Sequence, residues 1–121
     1  MKKRILVVED QEDNRRILRD LLTSAKYEVI EAENGEEALA AAAAQRPDLI
    51  LMDIQLPILD GYEATRRLKA DTALRAIPII VITSYALSGD EGKAREAGCD
   101  AYFAKPFSPR QLLAAVREYL P

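Results

Sequence analysis

The sequence LILMDIQLP at residues 49–57 places four consecutive apolar side chains directly before an acidic one, Asp53. Unbroken apolar runs of this length are typical of strands that are buried on both faces, as in a parallel sheet covered by helices. A carboxylate at the end of such a strand has lost much of its water. This loss is costly unless a cation, a metal or a proton compensates it. Asp53 is therefore the first candidate for a functional residue.

Four further apolar runs predict the other strands of the same sheet. They lie at residues 5–8, 29–30, 79–82 and 101–104. The run at 29–30 is short and flanked by glutamates, so it is predicted to be an edge strand. Apolar side chains at helical spacing separate the runs, and the predicted stripes of the first two helices include Ile17 and Ala43. Alternation of strands and helices predicts a doubly wound α/β fold, with a five-stranded parallel sheet in the order 2-1-3-4-5 and five helices, as in flavodoxin-like proteins.

Most helix starts can be assigned from an N-cap residue followed three positions later by Glu or Gln. The four pairs are Asn34 with Glu37, Asp60 with Glu63, Ser88 with Glu91, and Ser108 with Gln111. The first helix is placed near residues 11–14. The fourth helix carries Gly89 and Gly92, and an interior Gly costs about 1 kcal/mol relative to Ala. We therefore hypothesise that the fourth helix is the mobile part of the fold.

Size and composition limit the classes of function. The 121 residues suit one domain spanning residues 1–121. The formal charge of −3 gives no support for a nucleic-acid surface. No apolar run approaches the roughly 20 residues of a membrane span, and the basic N-terminus lacks the apolar segment of a signal peptide. A cytoplasmic location is expected. The single cysteine, Cys99, excludes an internal disulfide.

Charged and hydroxyl side chains follow four of the predicted strands. They are Glu9 and Asp10 after the first strand, Asp53 after the third, Thr83 and Ser84 after the fourth, and Lys105 with Pro106 after the fifth. The carboxyl ends of parallel strands meet at one edge of the sheet, where such folds bind their ligands. Three neighbouring carboxylates cannot all stay ionised without a cation. Mg²⁺ fits, because it prefers oxygen ligands and keeps room for a phosphate.

The same side chains favour phosphoryl transfer onto a carboxylate. Asp53 is the predicted nucleophile. The metal and Lys105 would neutralise charge on the phosphoryl oxygens, while the Thr83 hydroxyl would donate a hydrogen bond to one of them. The chain contains no histidine, which excludes Ser-His-Asp and Cys-His catalysis and histidine metal sites within it.

The ordered motifs resemble the receiver domain of two-component response regulators, the CheY-like superfamily. They are Val8-Glu9-Asp10, Met52-Asp53, Leu56-Pro57, Asp60-Gly61, Thr83-Ser84 and Lys105-Pro106. They cover essentially the whole chain, and residues 52–57 and 98–102 are also similar to single-domain regulators of the DivK type. The resemblance implies that Asp53 is the phosphorylated residue. It implies that Asp10, Asp53 and the Gln55 carbonyl bind Mg²⁺, with Glu9 acting through a metal-bound water.

The resemblance also implies how the phosphoryl group is sensed. Thr83 and Lys105 contact it, and Tyr102 is the aromatic switch residue that turns inward when Thr83 moves. A cis bond between Lys105 and Pro106 is implied as well. The sequence departs from the common pattern by using Glu-Asp at the acidic pair, which should preserve metal binding. Ser84 is a small residue, so access to Asp53 should remain open.

The absence of histidine and the length of the chain lead to expectations about partners. The phosphodonor must be another protein, a sensor histidine kinase or a histidine phosphotransfer domain, or a small phosphoanhydride. Because the chain stops after the fifth helix, output is expected as a surface change read by a downstream protein target. The resemblance places that surface on the fourth helix, fifth strand and fifth helix, including Phe103 and Arg110. The sequence leaves open whether phosphorylation produces a homodimer.

Three alternatives remain at this point. A phosphohydrolase of the haloacid-dehalogenase type would need a second Asp two residues after the nucleophile, where this chain has Gln55, which cannot titrate. A receiver-like interaction module that is never phosphorylated would be expected to lack Asp53, Lys105 or the acidic pair, and all are present. A receiver domain cut from a larger hybrid kinase or regulator would look the same as this sequence.

Overall fold

The computed structural model describes residues 2–83, 90–105 and 108–121. Five strands alternate with five helices along the chain. The strands are β1 (Arg4–Val8), β2 (Glu28–Ala32), β3 (Leu49–Asp53), β4 (Ile79–Thr83) and β5 (Ala101–Ala104). The helices are α1 (Glu12–Ser24), α2 (Gly35–Gln45), α3 (Gly61–Ala70), α4 (Asp90–Ala97) and α5 (Pro109–Tyr119). All five predicted strands and helices are therefore present.

The strands form one parallel sheet in the order β2-β1-β3-β4-β5, which confirms the predicted topology. β2 lies at an edge, as its short and glutamate-flanked sequence predicted. The central strand β3 pairs with β1 on one side and with β4 on the other. The carboxyl ends of all five strands therefore lie at the same edge of the sheet. Val8, Asp53 and Thr83 are the last residues of β1, β3 and β4 at this edge.

Two cores explain why the central strands are apolar without interruption. Alternate residues of each strand point to opposite faces of the sheet. One face packs on α2, α3 and α4 through small side chains such as Ala38, Ala64 and Ala94. The other face packs on α1 and α5 through larger side chains such as Leu22 and Leu112. Both faces are thus covered by helices.

Three of the predicted helix caps are present. The side chains of Asn34, Asp60 and Ser108 accept hydrogen bonds from the backbone N–H groups of Glu37, Glu63 and Gln111. Only the last pair forms a complete capping box. The Glu37 carboxylate instead accepts from the N–H of Glu33, and the Glu63 carboxylate binds Arg66 and Arg67. The Ser88 cap lies outside the described residues.

For two residues of the predicted apolar stripes, Ile17 and Ala43, the prediction of burial is wrong. Ile17 leaves 62% of its surface exposed, because α1 turns Leu18 and Leu22 toward the sheet and Ile17 away from it. Ala43 is exposed as well, whereas Ala38 and Ala42 are buried. Both errors arise because a helix buries a narrower stripe than the sequence of apolar residues suggests.

We expect the backbone amides of α4 to exchange with solvent at least about tenfold faster than those at the centre of α1. α4 has eight residues and its described core contacts come from Ala94 and Ala97, whereas α1 buries Leu18 and Leu22. Hydrogen exchange followed by NMR measures this difference. Equal protection of the two helices would contradict the hypothesis that α4 is the mobile part.

Among the residues that the structure describes, every helix is too short or too polar to cross a lipid bilayer.

Candidate phosphoacceptor site

Three acidic side chains meet at the carboxyl edge of the sheet. Asp53 is the last residue of β3, and Glu9 and Asp10 directly follow β1, the strand beside it. One carboxylate oxygen from each of these residues lies within 4.8 Å of the others. Glu9 is only 1% exposed and Asp53 only 7%, so two of the three carboxylates are largely removed from water. The structure thus brings together the acids that the sequence placed at strand ends.

Lys105 supplies the positive charge of this cluster. It follows β5, and its Nζ lies 2.8 Å from Glu9 Oε1 and 4.0 Å from Asp53 Oδ2. Its backbone N–H donates to the Thr83 carbonyl at 2.7 Å, which fixes the chain beside β4. Lys105 thus donates a hydrogen bond to Glu9, whereas its only predicted contact was with the phosphoryl group on Asp53.

Glu9 is held at both its carboxylate and its carbonyl. Besides the bond from Lys105, its Oε2 accepts from the Gln11 N–H at 3.2 Å. Its carbonyl oxygen accepts from Arg15 Nη1 at 3.0 Å. The Arg15 side chain is only 11% exposed and also binds Glu31 at 3.1 Å. These contacts fix the position of Glu9 relative to α1 and β2.

Arg15 is a positioning residue that sequence reasoning missed. A short basic pair such as Arg15-Arg16 is usually a solvated helix face, but the Arg15 side chain is only 11% exposed. Two acidic residues at the end of the predicted edge strand, Glu31 and Glu33, could have indicated a partner for Arg15. Arg15 pairs with both of them in the structure, whereas Arg16 remains 60% exposed.

Burial, mutual repulsion and hydrogen bonds shift the pKa values of the three acids differently. Burial raises the pKa of Asp53 to about 7, and the negative charge of Glu9 adds to the rise while Lys105 opposes it. Burial also raises the pKa of Glu9, but hydrogen bonds from Lys105 and Gln11 outweigh it, so this pKa lies below its ordinary value. Burial and the neighbouring Glu9 raise the pKa of Asp10. Near neutral pH, Glu9 is therefore ionised while Asp53 retains a large share of its proton.

The arrangement suits a hard divalent cation. The three carboxylates offer oxygen ligands within one small volume, and their repulsion already disfavours full ionisation. A divalent cation would relieve that repulsion and replace the proton on Asp53. The Gln55 backbone N–H donates to Asp53 Oδ1 at 3.4 Å. The predicted role of the Gln55 carbonyl as a metal ligand stays a prediction.

The backbone after Asp53 turns sharply toward α3. The Gly61 N–H donates to the Ile54 carbonyl at 2.9 Å, which brings the start of α3 against the end of β3. A Cβ atom on residue 61 would overlap the Asp53 carbonyl oxygen and lie 2.8 Å from Ile54 Cα. Only glycine allows this close approach between the start of α3 and the end of β3.

Gly61→Ala should therefore lower the free energy of unfolding by about 1–3 kcal/mol, since the backbone of Asp53 has to move. Gly92→Ala is the matched control, because a Cβ atom on this α4 residue meets nothing within 4 Å. That substitution should raise the free energy of unfolding by up to about 1 kcal/mol through helix propensity. Urea denaturation of both variants measures the two changes. A Gly61→Ala protein as stable as the parent would contradict the close contact.

The remaining predicted residues lie at or near the same edge. Thr83 ends β4 and is 1% exposed. Tyr102 is half-buried in β5, opposite Val81 in the pairing of the two strands, and packs against the core under α2, α3 and α4. Its predicted switching role stays a prediction. Ser84 and the bond from Lys105 to Pro106 fall outside the described residues.

Comparison with known proteins identifies the family. The sequence model of one protein family, the response regulator receiver domain, matches residues 5–117. The polar-differentiation response regulator DivK of Brucella anthropi is 48% identical over 120 residues, which is 99% of this chain and 98% of that protein. DivK of Brucella ovis is 46% identical over the same shares of both chains.

Solved structures agree in fold and in sequence. One is the receiver domain of a sensor histidine kinase from Pseudomonas aeruginosa PAO1, whose structure has a magnesium ion coordinated in the active site cleft. It matches with a TM-score of 0.92 and 39% identity, over 99% of this chain and 98% of that one. The chemotaxis protein CheY4 of Vibrio cholerae matches with a TM-score of 0.91 and 28% identity over 98% and 99% of the two chains. The chain therefore belongs to the response regulator receiver domains of two-component signalling.

Proposed function

We propose that Asp53 accepts a phosphoryl group from a phosphohistidine of a partner protein, and that the phosphorylated domain is the signalling state. The observation that carries this proposal is the position of Asp53, buried at a strand end within 4.8 Å of two other carboxylate groups and 4.0 Å from the Lys105 ammonium. Membership of the receiver family supports the same role.

The reaction forms one bond and breaks one. An Asp53 carboxylate oxygen attacks phosphorus, and the bond from phosphorus to the histidine nitrogen of the donor breaks. Lys105 approaches the transferred oxygens and offsets their charge, and the Thr83 hydroxyl donates to one of them. Water then attacks phosphorus, the bond from phosphorus to the Asp53 oxygen breaks, and inorganic phosphate leaves, so the domain returns to its resting state. In this proposal the domain catalyses only its own phosphorylation and slow dephosphorylation.

We assign Mg²⁺ to the acidic cluster. Asp10, Asp53 and the Gln55 carbonyl would hold it, with Glu9 acting through a bound water. The donor set of hard oxygens supports this assignment, as does the magnesium ion in the related receiver domain from Pseudomonas aeruginosa. When bound, the ion supplies positive charge next to the transferred phosphoryl oxygens.

The proposed partner upstream is a sensor histidine kinase or a histidine phosphotransfer domain, since the chain has no histidine of its own to carry the phosphoryl group and belongs to the receiver family. The output face is formed by α4, β5 and α5. A groove on this face is lined by Arg95, Tyr102, Phe103 and Tyr119, among others. Tyr102 belongs both to this groove and to the core, so a change in its packing would alter the surface that a downstream protein contacts.

Phosphorylation by phosphoramidate tests the metal and the acceptor together. This small donor carries the same phosphorus–nitrogen bond as phosphohistidine, so no unidentified partner is needed. We expect phosphorylation with Mg²⁺, none with a chelator, and a large loss in Asp10→Asn. Asp13→Asn is the control, because Asp13 is exposed on the first turn of α1. Phosphorylation that is equally fast without a divalent cation would overturn the metal assignment.

A further inference from the structure

A second site lies at the edge of the sheet opposite Asp53. A groove of about 800 Å³ opens there between three segments of the chain. They are residues 2–3 before β1, residues 25–27 after α1, and the end of α5 with residues 120–121. Because β1 and β3 each have five residues, the groove and Asp53 are separated by roughly 16 Å of sheet. A ligand here would leave the acceptor edge accessible.

The rim of this groove is cationic. Lys2, Lys3, Lys26 and Arg117 line it, and all four are exposed. Within the described part of the chain, none of these four residues forms an ion pair, whereas eight of the other 13 basic residues do. The groove thus gathers cations whose charge no described carboxylate neutralises by direct contact.

Lys26 occupies a backbone position that favours glycine. Its φ of 77° is left-handed. Its N–H donates to the Thr23 carbonyl at 3.0 Å, and the Tyr27 N–H donates to the Leu22 carbonyl at 3.1 Å. This pair of bonds is the Schellman ending of a helix, where glycine is the usual residue. The chain therefore holds a lysine side chain on the rim at a position where glycine would fit the backbone better.

The interior of the groove is apolar. Ala25, Tyr27 and Leu120 line it below the cationic rim. The Tyr27 hydroxyl donates to the Leu120 carbonyl at 3.3 Å, which joins the turn after α1 to the end of α5. The groove therefore combines a fixed apolar surface with four charges around it.

We propose that this groove docks a short acidic peptide segment of a partner protein, with its carboxylates on the cationic rim and an apolar side chain against the interior. Apart from the four rim cations, the chain has 13 basic residues against 20 acidic ones, a formal charge of −7. This remaining charge repels long polyanions and anionic membranes, but it disfavours a short segment confined to the groove much less. Docking here goes beyond phosphoryl transfer and gives the receiver a second contact with a partner.

Fluorescence anisotropy with a labelled peptide of alternating Glu and Leu residues tests the proposal. We expect saturable binding that weakens as salt is added, because exposed ionic contacts are screened. A peptide of alternating Lys and Leu should not bind. Binding of the Glu-Leu peptide should also move the NMR signals of residues 25–27 and 120–121. Tighter binding of a single-stranded oligonucleotide or of phosphatidylglycerol vesicles than of the peptide would overturn the proposed class of ligand.

Lys26→Gly is the decisive variant, since glycine suits the left-handed backbone and should therefore retain the fold. Combined with Arg117→Gln, it should weaken peptide binding by about tenfold, as expected for two surface ionic contacts. Arg46→Gly is the matched control. Arg46 is a cation with a left-handed φ of 43° after α2 and does not line the groove. Absence of saturable binding, or an equal loss in Arg46→Gly, would overturn the proposal.

Discussion

Asp53→Asn is expected to raise the free energy of unfolding by roughly 2 to 4 kcal/mol at about pH 8. Burial raises the pKa of Asp53 to about 7 in the folded protein, compared with an ordinary value of 3.8. Above pH 7 the folded protein must therefore hold a charge that its surroundings disfavour. Asparagine has nearly the same shape and no charge, so the variant avoids this cost.

The stability difference between the parent protein and Asp53→Asn should depend on pH. As the pH rises above 3.8, the unfolded chain loses the Asp53 proton, while the folded protein keeps it until about pH 7. The parent protein should therefore lose stability across this window relative to Asp53→Asn, and the difference should level off above it. Urea denaturation of both proteins over the same pH range measures the difference, in which the titration of carboxylates distant from Asp53 cancels.

Asp20→Asn is the control for this experiment. The Asp20 side chain is 75% exposed on α1, so its substitution should change stability by no more than about 0.5 kcal/mol. Added Mg²⁺ should stabilise the parent protein and have a much smaller effect on Asp53→Asn. An Asp53→Asn protein that is no more stable than the parent at high pH would contradict the description of Asp53 as a buried, repelled carboxylate.

Lys105→Met is expected to lower the rate of phosphorylation by acetyl phosphate roughly 100-fold, the loss typical for removing one charge-stabilising donor. The substitution removes the ammonium 4.0 Å from Asp53. It also removes the positive charge that opposes the rise of the Asp53 pKa, so less of the carboxylate is ionised and able to attack. Both changes act in the same direction. The initial rate of phosphorylation with Mg²⁺ is the measurement.

Lys93→Met makes the same chemical change on the exposed surface of α4 and should leave the rate unchanged. The stability of Lys105→Met should be measured beside its rate, because Glu9 is buried and loses its hydrogen bond from Lys105. Phosphorylation of the folded Lys105→Met protein at the parent rate would contradict the proposed role of this lysine.

The sequence predicts the architecture well because its strongest patterns are local. Unbroken apolar runs mark β1, β3 and β4, and these are the strands that the structure buries on both faces. The caps at Asn34, Asp60 and Ser108 are short-range hydrogen bonds, so they too can be predicted from neighbouring residues. Parallel pairing then places the ends of these strands together.

Contacts between distant residues are harder to predict. The bond from Lys105 to Glu9 joins residues 96 positions apart, and the choice between Glu9 and Asp53 depends on distances that a strand pattern cannot supply. Arg15 lies on α1 and looked like a surface residue because its partner Glu31 lies 16 positions further along the chain, on β2. Ile17 looked buried, although the rotation of α1 on the sheet places it in solvent.

Intact-mass spectrometry after incubation with acetyl phosphate and Mg²⁺, followed by mapping of the modified peptide, tests most directly whether Asp53 is the phosphoacceptor. The expected result is a mass gain of one phosphoryl group that maps to Asp53, is absent with a chelator and is lost in Asp53→Asn. Asp20→Asn should gain the phosphoryl group normally. A phosphoryl group carried by the folded Asp53→Asn protein to the same extent, or none on the parent protein with either acetyl phosphate or phosphoramidate, would contradict the proposal.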